Sequence, residues 1–341
     1  MIGNNRNNQW IEKYRPITLD EVISQENIIN TLKETITKRR YQHILLHGPS
    51  GTGKTSTIMA CARELYGNKK DLMTIYINAS EERGIEIVRT RIQQFVTTKN
   101  IFSDDNYFKL VILDEADAMT HDAQAILRKV IENYADTTRF CIICNYIKKI
   151  SSALQSRCIC YRFAPIMHKK IEDKIMEISN SEKVKITQDG IKMIIKITRG
   201  DMRKAINILQ SASLTDTVID ANTIVKCTGY ITNEDIDRII KSLFTDDFII
   251  CYKTIYDICK INSYALNDII TETTNIIIGY ITRDDNYDKR YDIIFENCDK
   301  TKLLDILYNT SNIEFNLISC VNDRIQLSAF ISYFIYHKHK E

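Results

Sequence analysis

Gly48-Pro49-Ser50-Gly51-Thr52-Gly53-Lys54-Thr55 is the stretch that decides the fold. It follows the apolar run His43-Ile44-Leu45-Leu46 and opens a helical pattern from Thr55 to Tyr66. It fits the Walker A pattern GxxxxGK[ST] in full, in the strand–loop–helix setting that the pattern requires. Each residue type has a physical task. Glycines let backbone N–H groups curl around phosphate oxygens where side chains would obstruct them. The helix N-terminus adds positive potential. Lys54 can reach the β and γ phosphates, and the Thr55 hydroxyl can bind Mg²⁺. With Ser56 beside it, the run Gly48 to Ser56 is the core of a candidate ATP site.

Working outward, Met73-Thr74-Ile75-Tyr76-Ile77, Leu110-Val111-Ile112-Leu113 and Phe140-Cys141-Ile142-Ile143-Cys144 are short, continuous apolar runs. Such runs read as parallel strands covered on both faces. Helical patterns lie between them: Ala123 to Glu132, and Ile85 to Val96 with Ile85, Val88, Ile92 and Phe95 at helical spacing. Alternating strands and helices predict a doubly wound α/β sheet, ending near Pro165. Strand signals then stop. Residues 166 to about 228 read as three short helices, with Gly200 separating two of them and Thr228-Gly229 marking a boundary. From Asn233 onward the pattern is helical, with Ile236, Ile239, Ile240 and Leu243 on one stripe. The expected division is 1–165, 166–229 and 230–341.

A second acidic motif, Leu113-Asp114-Glu115-Ala116-Asp117, closes one of the apolar strands. Asp114 is placed to hold Mg²⁺, and Glu115 is the candidate base that polarises an attacking water. Asn145 ends the next strand. A polar amide there can position a water, because open α/β sheets bind ligands at the carboxyl ends of their strands.

Composition narrows the function. The chain has 341 residues, a net charge of +2, 44% hydrophobic and 26% charged residues. A protein wrapping nucleic acid by bulk attraction is usually far more basic, so any DNA contact is a local patch. With 3 prolines and 10 glycines, no Pro- or Gly-rich linker is expected. The start is polar and no run is long enough to span a bilayer, so no membrane partner is expected. The 10 cysteines read as free thiols in a reducing interior. Cys141 and Cys144 form a CxxC, but without a second pair at zinc spacing they read as strand residues.

Further motifs resemble one family. Trp10-Ile11-Glu12-Lys13-Tyr14-Arg15-Pro16 is similar to the W-x-E-K-Y-R-P signature of the small subunits of replication factor C, an AAA+ clamp loader. Ile77-Asn78-Ala79-Ser80-Glu81-Glu82-Arg83-Gly84-Ile85 resembles the family's N-A-S-D-x-R-G-I element, and Leu113 to Asp117 its L-D-E-A-D. Gln124 to Arg128, Ser156-Arg157-Cys158 and Gly200-Asp201-Met202-Arg203-Lys204-Ala205 resemble three more, in the family's order. Two departures stand out: Ser24-Gln25 where many members have Gly-Gln, and Ala153-Leu154 where many have Pro before Ser-Arg-Cys.

The resemblance implies an α/β P-loop AAA+ domain, a small helical lid and an all-helical C-terminal collar. It implies that Arg157 is an arginine finger aimed at the ATP of a neighbouring subunit, and that Arg203 is a cis sensor of the γ-phosphate. Tyr14, Arg15, Pro16, Val22 and Ile23 would line the adenine pocket. Arg83, Arg89 and Arg91 would face duplex phosphates, which carry no sequence information. Ile101 and Phe102 would meet a sliding clamp. The implied activity is ATP-dependent clamp loading at primer–template junctions, in a ring (pentameric in the family) with other clamp loader subunits. The place is intracellular, at sites of DNA replication, whether in a nucleus or a cytoplasmic viral factory. The alternative is an AAA+ branch-migration or helicase motor, which would carry a DNA-contacting hairpin and a winged-helix end. A third reading, a non-hydrolysing scaffold, would have lost Lys54, Asp114, Glu115 or Arg157.

Overall fold

Five strands, β1 (Ile44–His47), β2 (Thr74–Asn78), β3 (Lys109–Asp114), β4 (Thr138–Cys144) and β5 (Ile159–Arg162), form one sheet in the order β2-β3-β4-β1-β5. All four pairings are parallel. The computed structural model describes residues 9–38, 41–81, 86, 88–98, 108–215, 218–283, 288–296, 298–317 and 322–339.

The continuous apolar runs are explained by two cores. Side chains alternate across a strand, so neighbours in β1, Leu45 and Leu46, enter opposite layers. Leu45, Val111, Leu113, Phe140 and Ile142 pack with Leu127 and Ile131 of the helix His121–Asn133. Leu46, Leu110, Ile112, Cys141 and Ile143 pack with Ile58, Cys61 and Tyr66 of the helix Lys54–Tyr66. Each fully buried Leu or Ile contributes about 1.5–3 kcal/mol. The CxxC cysteines fall on opposite faces, Cys141 in one layer and Cys144 in the other. They cannot share a ligand, and burial pushes the Cys144 thiol up to about 12.

β5 was not expected from the sequence. It is an edge strand with three of its four residues exposed, so Ile-Cys-Tyr-Arg carries no buried-strand signature. The helical pattern over 85–96 is realised from Val88 onward as a π-helical turn, Val88–Ile92, followed by Gln93–Thr97. Ile92 is fully buried and Phe95 packs against the same layer.

The chain divides into two compact units, Met1–Ala221 and Asn222–Glu341. In the first, the sheet is followed by the helices His168–Glu182, Gln188–Thr198 and Met202–Ser213. Thr187 and Asp201 cap the last two, each such cap stabilising by about 1 kcal/mol. In the second, the helix Asn233–Thr245 buries Ile236, Ile239, Ile240 and Leu243, the stripe read from the sequence. Phe295 is fully buried there, with the Phe244, Tyr280 and Tyr291 rings around it. Among the described residues beyond Arg162, the one β-type pairing is an isolated bridge between Ile186 and Ile219. No described helix is long and apolar enough to cross a membrane.

Candidate functional site

The loop leaving β1 is shaped by what its glycines avoid. At Gly48 (φ +143°) a Cβ would lie 2.2 Å from the Phe163 carbonyl oxygen, and at Gly51 (φ +65°) it would lie 1.8 Å from Asp201 Oδ1. A side chain at either position would open the cradle. The loop is held from the other side as well. Ser50 Oγ donates to Asp201 Oδ2 at 2.9 Å, and the Met202 N–H donates to the Gly51 carbonyl at 3.2 Å.

Lys54, the first residue of its helix, is only 7% exposed. Its ammonium donates to the carbonyls of Gly48 and Pro49, both at 2.7 Å, and to Asn145 Oδ1 at 2.9 Å. Burial depresses its pKa below the ordinary lysine value, and the Asp114 charge opposes that shift. Beside it, Thr55 Oγ1 donates to Asp114 Oδ2 at 2.7 Å. The Glu115 N–H donates to Asp114 Oδ1 at 2.9 Å. Glu115 adopts a left-handed conformation, φ 53°, a sparsely populated state for a non-glycine residue that is common at functional sites. Lys54, Thr55, Asp114 and Asn145 thus meet at the carboxyl ends of the adjacent strands β3, β4 and β1.

A cleft open to solvent runs over this cluster. It is lined by Ser50 to Ser56, Asp114, Glu115, Asn145 and Arg203, and by all five residues expected at the base pocket: Tyr14, Arg15, Pro16, Val22 and Ile23. Gly48 and Pro49 are not among the lining residues, and their carbonyls accept from Lys54. The sequence reading missed Ile11, Glu12, Ile166, Lys174, Met202 and Ile206, which complete the walls. Ile206 follows Arg203 by almost one helical turn, and that spacing was a usable signal. It also missed Asp201 as a loop partner and Tyr76, whose hydroxyl donates to Asp114 Oδ2 at 3.0 Å. The Tyr14 hydroxyl donates to Glu182 Oε1 at 2.5 Å, joining this wall of the cleft to the helix His168–Glu182.

Arg157 lies outside the lining of this cleft. Its Nη1 donates to the Ala153 carbonyl at 2.7 Å and its Nη2 to the Glu132 carboxylate, which also accepts from Arg128 Nε at 3.1 Å. Arg91 is exposed on the π-helical turn that also contains Arg89. Arg83, the Arg89 side chain, Ile101 and Phe102 fall outside the described residues.

The donor set fits a hard divalent cation. A hydroxyl and a carboxylate oxygen stand side by side at Thr55 and Asp114. Among the described residues no group of three or more His, Cys, Asp or Glu could hold a metal alone. Mg²⁺ characteristically takes one or two protein oxygens and completes its shell with substrate phosphates.

Residues 44–166 match the family model of the ATPases associated with various cellular activities, so fold and site define a P-loop ATPase of that class. Residues 231–333 match the replication factor C C-terminal domain. The chain is 42% identical to human replication factor C subunit 5 over 330 residues, 96% of this chain and 92% of that protein. It is 40% identical to Saccharomyces cerevisiae replication factor C subunit 3, over 94% of this chain and 91% of that one. The chain belongs to the replication factor C family, the clamp loader ATPase subunits of DNA replication. A solved Thermotoga maritima RuvB Holliday junction branch migration motor superposes with a TM-score of 0.53 at 18% identity, covering 76% of this chain and 91% of that one. At that identity the likeness shows the fold alone.

Proposed function

We propose that this subunit binds ATP with Mg²⁺ and, in a ring of five similar subunits, opens a sliding clamp and loads it at primer–template junctions. The observation that carries the reading is the hydrogen-bonded cluster of Lys54, Thr55, Asp114 and Asn145 under a solvent-open cleft whose other walls are the residues expected around a nucleotide base. Lys54 exchanges two neutral carbonyls for β and γ phosphate oxygens. Thr55 and Asp114 hold Mg²⁺, which when bound neutralises charge on those oxygens. Glu115 orients the attacking water and draws its proton, and Asn145 fixes the water's position. Arg203 contacts the γ-phosphate from the helix Met202–Ser213 in cis. Arg157 reaches the nucleotide of a neighbouring subunit, where a planar, permanently charged guanidinium suits phosphate oxygens. Its position off the lining of its own cleft supports a trans role.

The same reading divides the chain into an ATPase domain, 1–165, a lid, 166–229, and a collar, 230–341. Arg83, Arg89 and Arg91 track duplex phosphates, and Ile101 with Phe102 meets the clamp. The work is done inside the cell, where DNA is replicated.

The test is ATP hydrolysis by the chain assembled with its partner subunits, with and without primed DNA and clamp. Strong joint stimulation is expected. Arg157→Ala in this subunit type should remove the neighbouring site's share of turnover by about 10³-fold. Stimulation by DNA alone, with strand displacement or junction movement, would overturn clamp loading.

A further inference from the structure

Tyr76 is a residue for which core packing gives no account. It is 41% exposed on the edge strand β2, yet its hydroxyl is committed to Asp114 Oδ2 at 3.0 Å. The register explains the reach. Tyr76 pairs with Ile112 and Asn78 with Asp114, so Tyr76, Ile112 and Asp114 share one face of the sheet by the two-residue period. That is the face carrying the helix Lys54–Tyr66, to which Thr55 belongs. The Asp114 carboxylate therefore receives three donors from three elements: Thr55 Oγ1 from the helix start, the Glu115 N–H from the turn after β3, and the Tyr76 hydroxyl from the outer strand.

We propose that Tyr76 is a positioning residue that fixes the Asp114 carboxylate for metal binding. The inference rests on the proposed Mg²⁺ site at Thr55 and Asp114. A hydroxyl has one proton and two lone pairs. While Thr55 spends its proton on Asp114, its lone pairs are free for a cation, provided that the carboxylate stays where it is. Oδ2 is held by two hydroxyls, Thr55 from the helix start and Tyr76 from the edge strand. Without Tyr76, Asp114 keeps only the Thr55 and Glu115 donors, its rotation about the Cβ–Cγ bond is less firmly restrained, and part of the metal's binding free energy goes into ordering it. The role belongs to Asp114's geometry and not to nucleotide contact, since Tyr76 does not line the cleft.

The experiment uses Mn²⁺ as the probe. Free Mn²⁺ is counted by its electron paramagnetic resonance signal while the full chain is titrated with ATPγS present, for wild type and Tyr76→Phe. Binding of a fluorescent ATP analogue in EDTA is measured in parallel. The expected result is roughly three- to tenfold weaker Mn²⁺ uptake by Tyr76→Phe, the worth of one hydrogen bond, with metal-free nucleotide affinity unchanged. Equal Mn²⁺ affinity in the two proteins overturns the role of Tyr76 and leaves the metal site standing. A parallel loss of metal-free affinity also overturns it, because the strand itself would then have moved. A wild type that takes up no Mn²⁺ with the nucleotide overturns the metal site and this inference with it.

Discussion

Ser50 and Asp201 lie 151 residues apart and are joined by a 2.9 Å hydrogen bond. The other oxygen of Asp201 accepts from the Lys204 N–H at 3.1 Å and caps the helix that carries Arg203. One carboxylate thus fastens the Gly48–Thr55 loop and begins the helix that carries Arg203. Movement of that helix is mechanically a movement of the loop. A double-mutant cycle measures the tie. Ser50→Ala and Asp201→Ala should each destabilise, Asp201→Ala more because it also removes the cap, at about 1 kcal/mol. Together they should fall short of additivity by about 1 kcal/mol in urea unfolding. Simple additivity would mean that the two side chains do not interact.

The Ser24-Gln25 departure has a structural cost. Both residues are left-handed, φ 66° and 64°, a conformation that costs an L side chain about 1–2 kcal/mol. Gln25 recovers some of this by donating to the Ala164 carbonyl at 2.7 Å and accepting from the Ala164 N–H at 3.3 Å. Among the described residues no such bond is seen for Ser24. Ser24→Gly should therefore stabilise the chain by about 1 kcal/mol, seen as a higher melting temperature. Gln25→Gly should lose the two bonds to Ala164 and show no such gain. A lower melting temperature for Ser24→Gly would contradict this account.

His43 should make the first unit acid-sensitive. Burial, with the Arg139 charge nearby, lowers its pKa from the ordinary 6.5 to about 4. The neutral Nδ1 accepts the Phe140 N–H at 3.2 Å, which an imidazolium cannot do. The folded pKa is depressed, so this stability is fully present above pH 6.5 and is lost as pH falls from 6.5 towards 4. After discounting for solvent screening the loss is about 1 kcal/mol. Melting temperatures at pH 7 and pH 5 should differ less for His43→Gln than for wild type. An unchanged difference would show that other groups carry the acid response.

The phosphate loop, the acidic motif and four strands were legible because their residues are held by local rules. Glycines must clear backbone, the central strands β1, β3 and β4 must be apolar on both faces, and β2, though an edge strand, keeps the β-forming run Ile75-Tyr76-Ile77. The other edge strand, Ile159–Arg162, has three of its four residues exposed and carries no such run. Asp201 and Tyr76 were hidden for a different reason. Their partners, Ser50 and Asp114, are distant in sequence, and no periodicity links them until the sheet order and the packing of the helix Met202–Ser213 are known. The two-residue period within β2 and β3 was available, but not the pairing that places Asn78 beside Asp114.

The buried ammonium of Lys54 has a thermodynamic consequence. Water is stripped from this cation when the chain folds, not when a nucleotide arrives, and loop carbonyls hold it meanwhile. Phosphate oxygens then meet a charge already dehydrated, so little of their attraction is consumed in drying it. Ions in solution screen such a partner weakly. Nucleotide grip should therefore survive salt concentrations that dissolve surface contacts with a DNA backbone, so on the proposed function raising the salt should release primed DNA well before the nucleotide.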